Sequence, residues 1–142
     1  MAVQAVSPGT SLFRLIDRDD RSDDEVARLR GRGVRVLSRR HLESFLFDDE
    51  ILIALCKERG HGDKIQEVIE AKKQALSESV MRGNPPDDLK SAGGQIYVAI
   101  KRILSLTQCG STARAFMLET LVPLVNQETK VYSELGRDVF DM

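Results

Sequence analysis

The stretch Ser11-Leu-Phe-Arg-Leu-Ile-Asp17, continued by Arg18-Asp-Asp-Arg-Ser-Asp-Asp24 and then by Val34-Arg-Val-Leu37, decides the fold class. The first piece is a short apolar run ending in acid, the pattern of a buried strand. The second is a solvated turn that places acids ahead of a helix. Ser22 or Asp23 can cap that helix, and Glu25 stands in the first turn, where the helix dipole favours a carboxylate. Gly31 and Gly33 stop it after Arg30. Val34–Leu37 then reads as a second strand. Strand, short crossover helix and strand predict a parallel, right-handed unit.

Working outward, the pattern is helical from Ser38 to the end. Leu42, Phe45 and Leu46 make the face of a short helix. Asp48 or Asp49 caps another, which carries Ile51, Leu52, Leu55 and Cys56 and stops at Gly60. A polar helix follows from about Asp63 to Met81, with Ile65, Val68, Ile69 and Leu76 as its stripe. Gly83-Asn-Pro-Pro86 is a break, and Ala92-Gly93-Gly94-Gln95 reads as a helix boundary. Ile96, Ile100, Ile103 and Leu104 form the next stripe, then Phe116, Met117, Thr120, Leu121 and Leu124, with Pro123 kinking or ending that helix. A last helix runs near Val131 to Val139. The expectation is an α/β fold, a small parallel β-sheet in residues 1–47 and a predominantly helical C-terminal lobe in residues 48–142, together one domain. Two strands alone make no stable sheet in water. The sheet therefore needs either a strand from the N-terminal residues or neighbours from a longer sheet of which this is a part.

The rest of the composition is restrictive mainly by exclusion. Among 142 residues, 21 Lys and Arg face 22 Asp and Glu, which rules out a generally basic nucleic-acid coat and leaves room only for a local basic patch. Aromatics are 5%, without Trp, so the core is aliphatic. No apolar run approaches the ~18 to 20 residues of a membrane span, and the first residues lack the layout of a secretory signal. Cys56 and Cys109 are each alone in their segments, which points to buried reduced thiols and a cytoplasmic protein.

Two clusters can carry chemistry. In Leu15-Ile16-Asp17-Arg18-Asp19-Asp20, carboxylates at i and i+2 stand just past the carboxyl end of a strand, where open α/β sheets place their ligands. Carboxylates converging on one point repel unless a cation lies between them, and Mg²⁺ is the hard, oxygen-loving choice. On spacing alone the plainer reading weighs more: an Asp-rich turn that caps the following helix. In the second cluster, Val36-Leu-Ser-Arg-Arg-His-Leu-Glu43-Ser-Phe-Leu46, Glu43 can approach the same sheet edge, and Arg39 or Arg40 can grip a phosphate bidentately. Equally, it is a solvated basic turn before an amphipathic helix, with His41 as a surface residue.

These two clusters together resemble the C-terminal TOPRIM-like part of AAA/ABC-type ATPases related to the OLD-family nucleases. In that family a strand ends in Asp-x-Asp, and an Arg-Arg-x-(Leu/Ile)-Glu-Asn-Tyr-Leu element follows. The ending Phe116-Met-Leu-Glu-Thr-Leu-Val-Pro-Leu124 and Val131-Tyr-Ser-Glu-Leu-Gly-Arg-Asp-Val-Phe140 is similar too. The resemblance spans roughly residues 11–140, densely in 12–47 and 113–140. It implies a partial TOPRIM-like, Rossmannoid sheet and phosphodiester chemistry with Mg²⁺ or Mn²⁺. Asp17 and Asp19 would be metal ligands with Asp20 as an auxiliary acid, and Glu43 would be the catalytic-site glutamate, its role unassigned. Nucleic acid would be the substrate, and an ATPase or a second copy the partner.

Two departures matter. Ser44-Phe45 stand where the family has Asn-Tyr. Residues 1–10 contain no Asp or Glu, whereas the family uses an acid on an earlier strand, so the module reads as truncated at its N-terminus and inactive alone. No Gly-x4-Gly-Lys-Ser/Thr loop and no Gly-x-Ser-x-Gly elbow is present. Three readings therefore stand: a split nuclease module, a non-catalytic interaction or dimerisation module of an ATPase system, and a helical adaptor unrelated to phosphate chemistry.

Overall fold

A computed structural model describes residues 2–3 and 13–140. Strand β2 (Phe13–Ile16) and strand β3 (Val34–Val36) pair in parallel, in the register Arg14 to Val34, Leu15 to Arg35 and Ile16 to Val36. Between them runs α1 (Asp23–Gly31), capped by the Ser22 hydroxyl, which accepts the Glu25 N–H at 3.2 Å. The α/β reading with a small parallel pair thus holds; Ser11 and Leu12 of the expected strand lie outside the described residues. The sheet gains a third strand from the N-terminus. Strand β1 (Ala2–Val3) pairs antiparallel with β2, giving the order β1-β2-β3. This covers the β2 edge that a two-strand sheet would leave open, and a pairing between such distant short segments leaves no periodicity to read.

Helix α2 (Glu43–Leu46) follows the turn after β3, and α3 (Asp49–Glu58) starts at Asp48, whose carboxylate accepts the Glu50 N–H at 2.8 Å. Gly60, at φ +74°, takes the chain out of α3 in a conformation that glycine adopts freely. Helix α4 (Ile65–Met81) then packs along α5 (Leu89–Ile103). In α4 only Val68, Ala75 and Ser79 are fully buried, while Ile65 and Leu76 pack half-buried against the core.

Ala92-Gly93-Gly94-Gln95 lies inside α5, not at its edge. Tertiary packing overrides the glycines' low helix propensity. A Cβ on Gly93 would come within 3.3 Å of the Phe47 ring, which is fully buried, so glycine lets two elements meet there. Helix α6 (Ala113–Phe116) runs into a π-helical turn, Met117–Leu121, and a 3₁₀ turn, Val122–Leu124. Pro123 offers no N–H to continue an α-helix, and Thr120, facing inward, donates its hydroxyl to the Cys109 carbonyl at 2.8 Å. The final helix, α7 (Lys130–Phe140), closes against β3 and α3. One cluster of buried residues, from Leu37 through Phe45, Phe47, Ile51, Leu55, Ile96, Ile100 and Phe116 to Val131, joins the end of β3 to every α-helix from α2 to α7. The core is aliphatic with few rings, as the composition requires. No helix is long and apolar enough to cross a membrane among the described residues.

Candidate metal centre

Asp17 is the first residue past β2, half-buried, and its carbonyl accepts the Arg21 guanidinium at 2.8 Å. Its carboxylate has no hydrogen-bond or ion-pair partner among the described residues. Two residues on, Asp19 adopts φ +51°, a left-handed conformation that Asp tolerates better than most residues. The Asp19 N–H donates to the Arg40 carbonyl at 3.0 Å, tying the turn after β2 to the turn after β3. The two parallel strand ends are thereby held together, and the reversed backbone at Asp19 brings its side chain back towards them.

His41 completes the group. It is buried, 9% exposed, and not on the surface where the sequence places it. The turn Ser38–Leu42 folds inward under the N-terminal end of α5, and its Nε2 lies 2.9 Å from Asp19 Oδ1. One ligand atom from each of Asp17, Asp19 and His41 falls within 4.8 Å of the others. Ligands of a shell of about 2.1 Å radius stand about 3 Å apart when adjacent and about 4.2 Å apart when opposed. The three can therefore gather round a divalent cation with small side-chain adjustments.

Behind the ring stands Asp88, a residue with no distinguishing signal in the sequence beyond its place ahead of a helix. It caps α5: Oδ1 accepts the Ser91 N–H at 3.0 Å and Oδ2 the Ser91 hydroxyl at 2.7 Å. Burial alone would raise its carboxyl, but these two hydrogen bonds and the charges of His41 and Arg40 outweigh it and hold Asp88 below the usual carboxylate range. His41 Nδ1 faces Asp88 Oδ1 at 3.7 Å, beyond hydrogen-bonding distance, and is buried without a partner.

The remaining sequence candidates fall elsewhere. Asp20 turns away from the group and pairs with Arg40. Arg40 also binds Asp87, Nε to Oδ1 at 2.7 Å. Its acids Asp20 and Asp87 have side chains 83% and 65% exposed, so a phosphate could displace them. Arg39 is a structural clamp: it binds Glu134 and Asp48, each at 2.7 Å, donates to the Ser44 carbonyl and lies over the Phe45 ring. Glu43 opens α2, half-buried, outside the Asp17/Asp19/His41 group. Beside the group lies a cleft of about 570 Å³ whose walls include Arg18, Asp19, Asp20, Arg21, Arg40 and Asp87. Both signs of charge line it, so it suits a ligand that is anionic but also carries hydrogen-bond donors. With this geometry in hand, comparison with known proteins is silent: the chain matches no protein-family model, no curated protein and no solved structure.

Proposed function

We propose that the chain is a TOPRIM-like, divalent-metal module related to the OLD-family and AAA ATPase-associated nucleases, working on phosphodiesters of nucleic acid. The observation that carries it is the convergence of Asp17 and Asp19, both just past the end of β2, with a third donor, His41, from the turn after the parallel strand β3. A bound Mg²⁺ or Mn²⁺ would supply Lewis-acid polarisation of a phosphoryl oxygen and an activated water. Asp17 and Asp19 would hold it. Arg40, released from its exposed acids, would orient a phosphate in the adjoining cleft, and Asp20 would be freed with it. Glu43 is retained as the glutamate of the family element, acting from the start of α2. The buried, unpaired thiols Cys56 and Cys109 support a reducing compartment, and so a cytoplasmic protein.

Residues 1–16 carry no Asp or Glu, so this chain by itself lacks the further metal-binding acid and should not cleave. Calorimetric titration with Mg²⁺ or Mn²⁺ tests the metal module: heat is expected from the wild type and none from Asp17→Asn/Asp19→Asn. Equal heats would refute it. Mn²⁺-dependent nicking of supercoiled plasmid by the pure chain, abolished by Asp17→Ala, would overturn its inactivity and point to Glu43 as the missing acid.

A second reading, an interaction module for an ATPase or for a second copy, is favoured by the neutralised arginines and by β3 ending the sheet without a further strand among the described residues. Light scattering at micromolar concentration separates it. A species heavier than the 15.9 kDa chain supports it, and a clean monomer that unfolds cooperatively and gains no stability from dilute to concentrated conditions defeats it.

A further inference from the structure

The His41 ring stands between two carboxylates and satisfies neither in full. Nε2 meets Asp19 at 2.9 Å, while the buried Nδ1 lacks any partner and faces Asp88 at 3.7 Å. A neutral ring with its proton on Nε2 turns the Nδ1 lone pair towards a carboxylate. One with its proton on Nδ1 does the same at Asp19. A doubly protonated ring suits both acids and leaves the half-buried Asp17 carboxylate, in the same 4.8 Å group as Asp19 and His41, to water. A cation at the point shared by Asp17, Asp19 and His41 serves all three groups at once and leaves the ring neutral. The lone pair on Nε2 and the oxygens of Asp17 and Asp19 face it, and the single ring proton sits on Nδ1, turned to Asp88.

We infer that His41 is the nitrogen ligand of this centre, that Asp88 is the positioning residue that fixes its ring from behind, and that the site selects a first-row transition ion over Mg²⁺. The inference rests on the metal-module reading and gives that site its ion preference. Metal-bound histidines almost always donate their second N–H to a carboxylate, carbonyl or water, and the outer partner sets tautomer and orientation. Asp88 is built for that duty: the N-cap bonds to the Ser91 N–H and hydroxyl pin both its oxygens. Mg²⁺ takes oxygen ligands in near-ideal octahedra and parts with water reluctantly, whereas imidazole nitrogen suits first-row transition ions. An Asp₂His donor set therefore discriminates against Mg²⁺ by chemistry and not by size.

Mn²⁺ alone is the probe, added to the full chain. Electron spin-echo envelope modulation of the wild-type complex should carry a ¹⁴N coupling from one imidazole, absent in His41→Gln. By calorimetry, His41→Gln should weaken Mn²⁺ at least tenfold and Mg²⁺ less than threefold. Asp88→Asn keeps a good helix cap and should weaken Mn²⁺ by the roughly 10–100-fold typical of a lost outer partner. Bound Mn²⁺ without nitrogen coupling in the wild type, and with unchanged affinity in His41→Gln, overturns the His41 assignment while leaving the Asp17/Asp19 centre intact. A wild type that binds no Mn²⁺, or an Asp17→Asn/Asp19→Asn variant that binds it fully, overturns both readings. The spectroscopic arm uses the unmutated chain, so a misfolded variant cannot obscure the outcome.

Discussion

Asp48 and Arg39 illustrate how single residues in this protein are committed to holding elements together. Burial would raise the Asp48 carboxyl, yet the hydrogen bond from Arg39, the Glu50 N–H and the charges of Arg39 and Lys72 hold it below the ordinary range. A folded-state pKa that is depressed means that the unfolded chain binds the proton more readily. The stabilisation is present above the unfolded carboxylate value, about pH 4, and is lost as pH falls through the folded one. Acid titration of stability should thus show a decline below about pH 4 that is shallower in Arg39→Ala. The same variant strips two half-buried carboxylates of their partner, and should cost about 2 kcal/mol near neutral pH after allowing for their partial exposure. Urea denaturation of both proteins across pH checks the two statements together. At the candidate metal centre the legible part was the placing of Asp17 and Asp19, because spacing past a strand end is visible in one dimension. His41 was not, because whether a turn folds under a distant helix depends on residues 47 positions away at Asp88.

At the scale of elements, the paired glycines of α5 make opposite predictions. Gly94 has open space around a hypothetical Cβ, so Gly94→Ala should stabilise by about 1 kcal/mol, the difference in helix propensity. Gly93→Ala gains the same propensity but presses on the buried Phe47 ring at 3.3 Å, so its net gain should be smaller or reversed. Thermal or urea unfolding of the two single variants decides it; equal stabilisation would mean that the ring yields. A second element-level device is the start of α7. Both carboxylate oxygens of Glu50, on α3, accept backbone N–H groups there, from Lys130 and Val131, each at 3.0 Å. A residue 80 positions upstream thus caps the helix. Glu50→Ala should cost about 1 kcal/mol, as lost caps do, and should raise amide exchange first in residues 130–134. Uniform protection in α7 would show that the cap does not anchor it.

Across the whole molecule, one core links the sheet to the lobe. The expected parts 1–47 and 48–142 share it, since Leu37, Phe45 and Phe47 lie in the same buried cluster as Ile100 and Val131. Side-chain ties run the same way: Ser38 and Arg39, in the turn after β3, bind Asp138 and Glu134 of α7. Unfolding should therefore be a single cooperative transition, with far-ultraviolet circular dichroism and tyrosine fluorescence coincident in urea. Separate midpoints for the two probes would mean that the molecule does not unfold as one unit.

Local periodicity determined the parallel β2–α1–β3 unit and most of the helices, narrowed two caps to Ser22 or Asp23 and to Asp48 or Asp49, of which Ser22 and Asp48 serve, and marked the break near Pro123. Each of these is fixed by neighbours within a few residues, through strand alternation, a capping oxygen or a missing N–H. Tertiary structure alone decided four things: the pairing of Ala2–Val3 with β2, the burial of His41, the continuation of α5 through Gly93-Gly94, and the capture of Arg39 by Glu134. In each case the partner lies far along the chain. The free energy comes from closing that distance, by a strand edge paired, a ring seated against a backbone or a charge neutralised, and no window of neighbouring residues contains it.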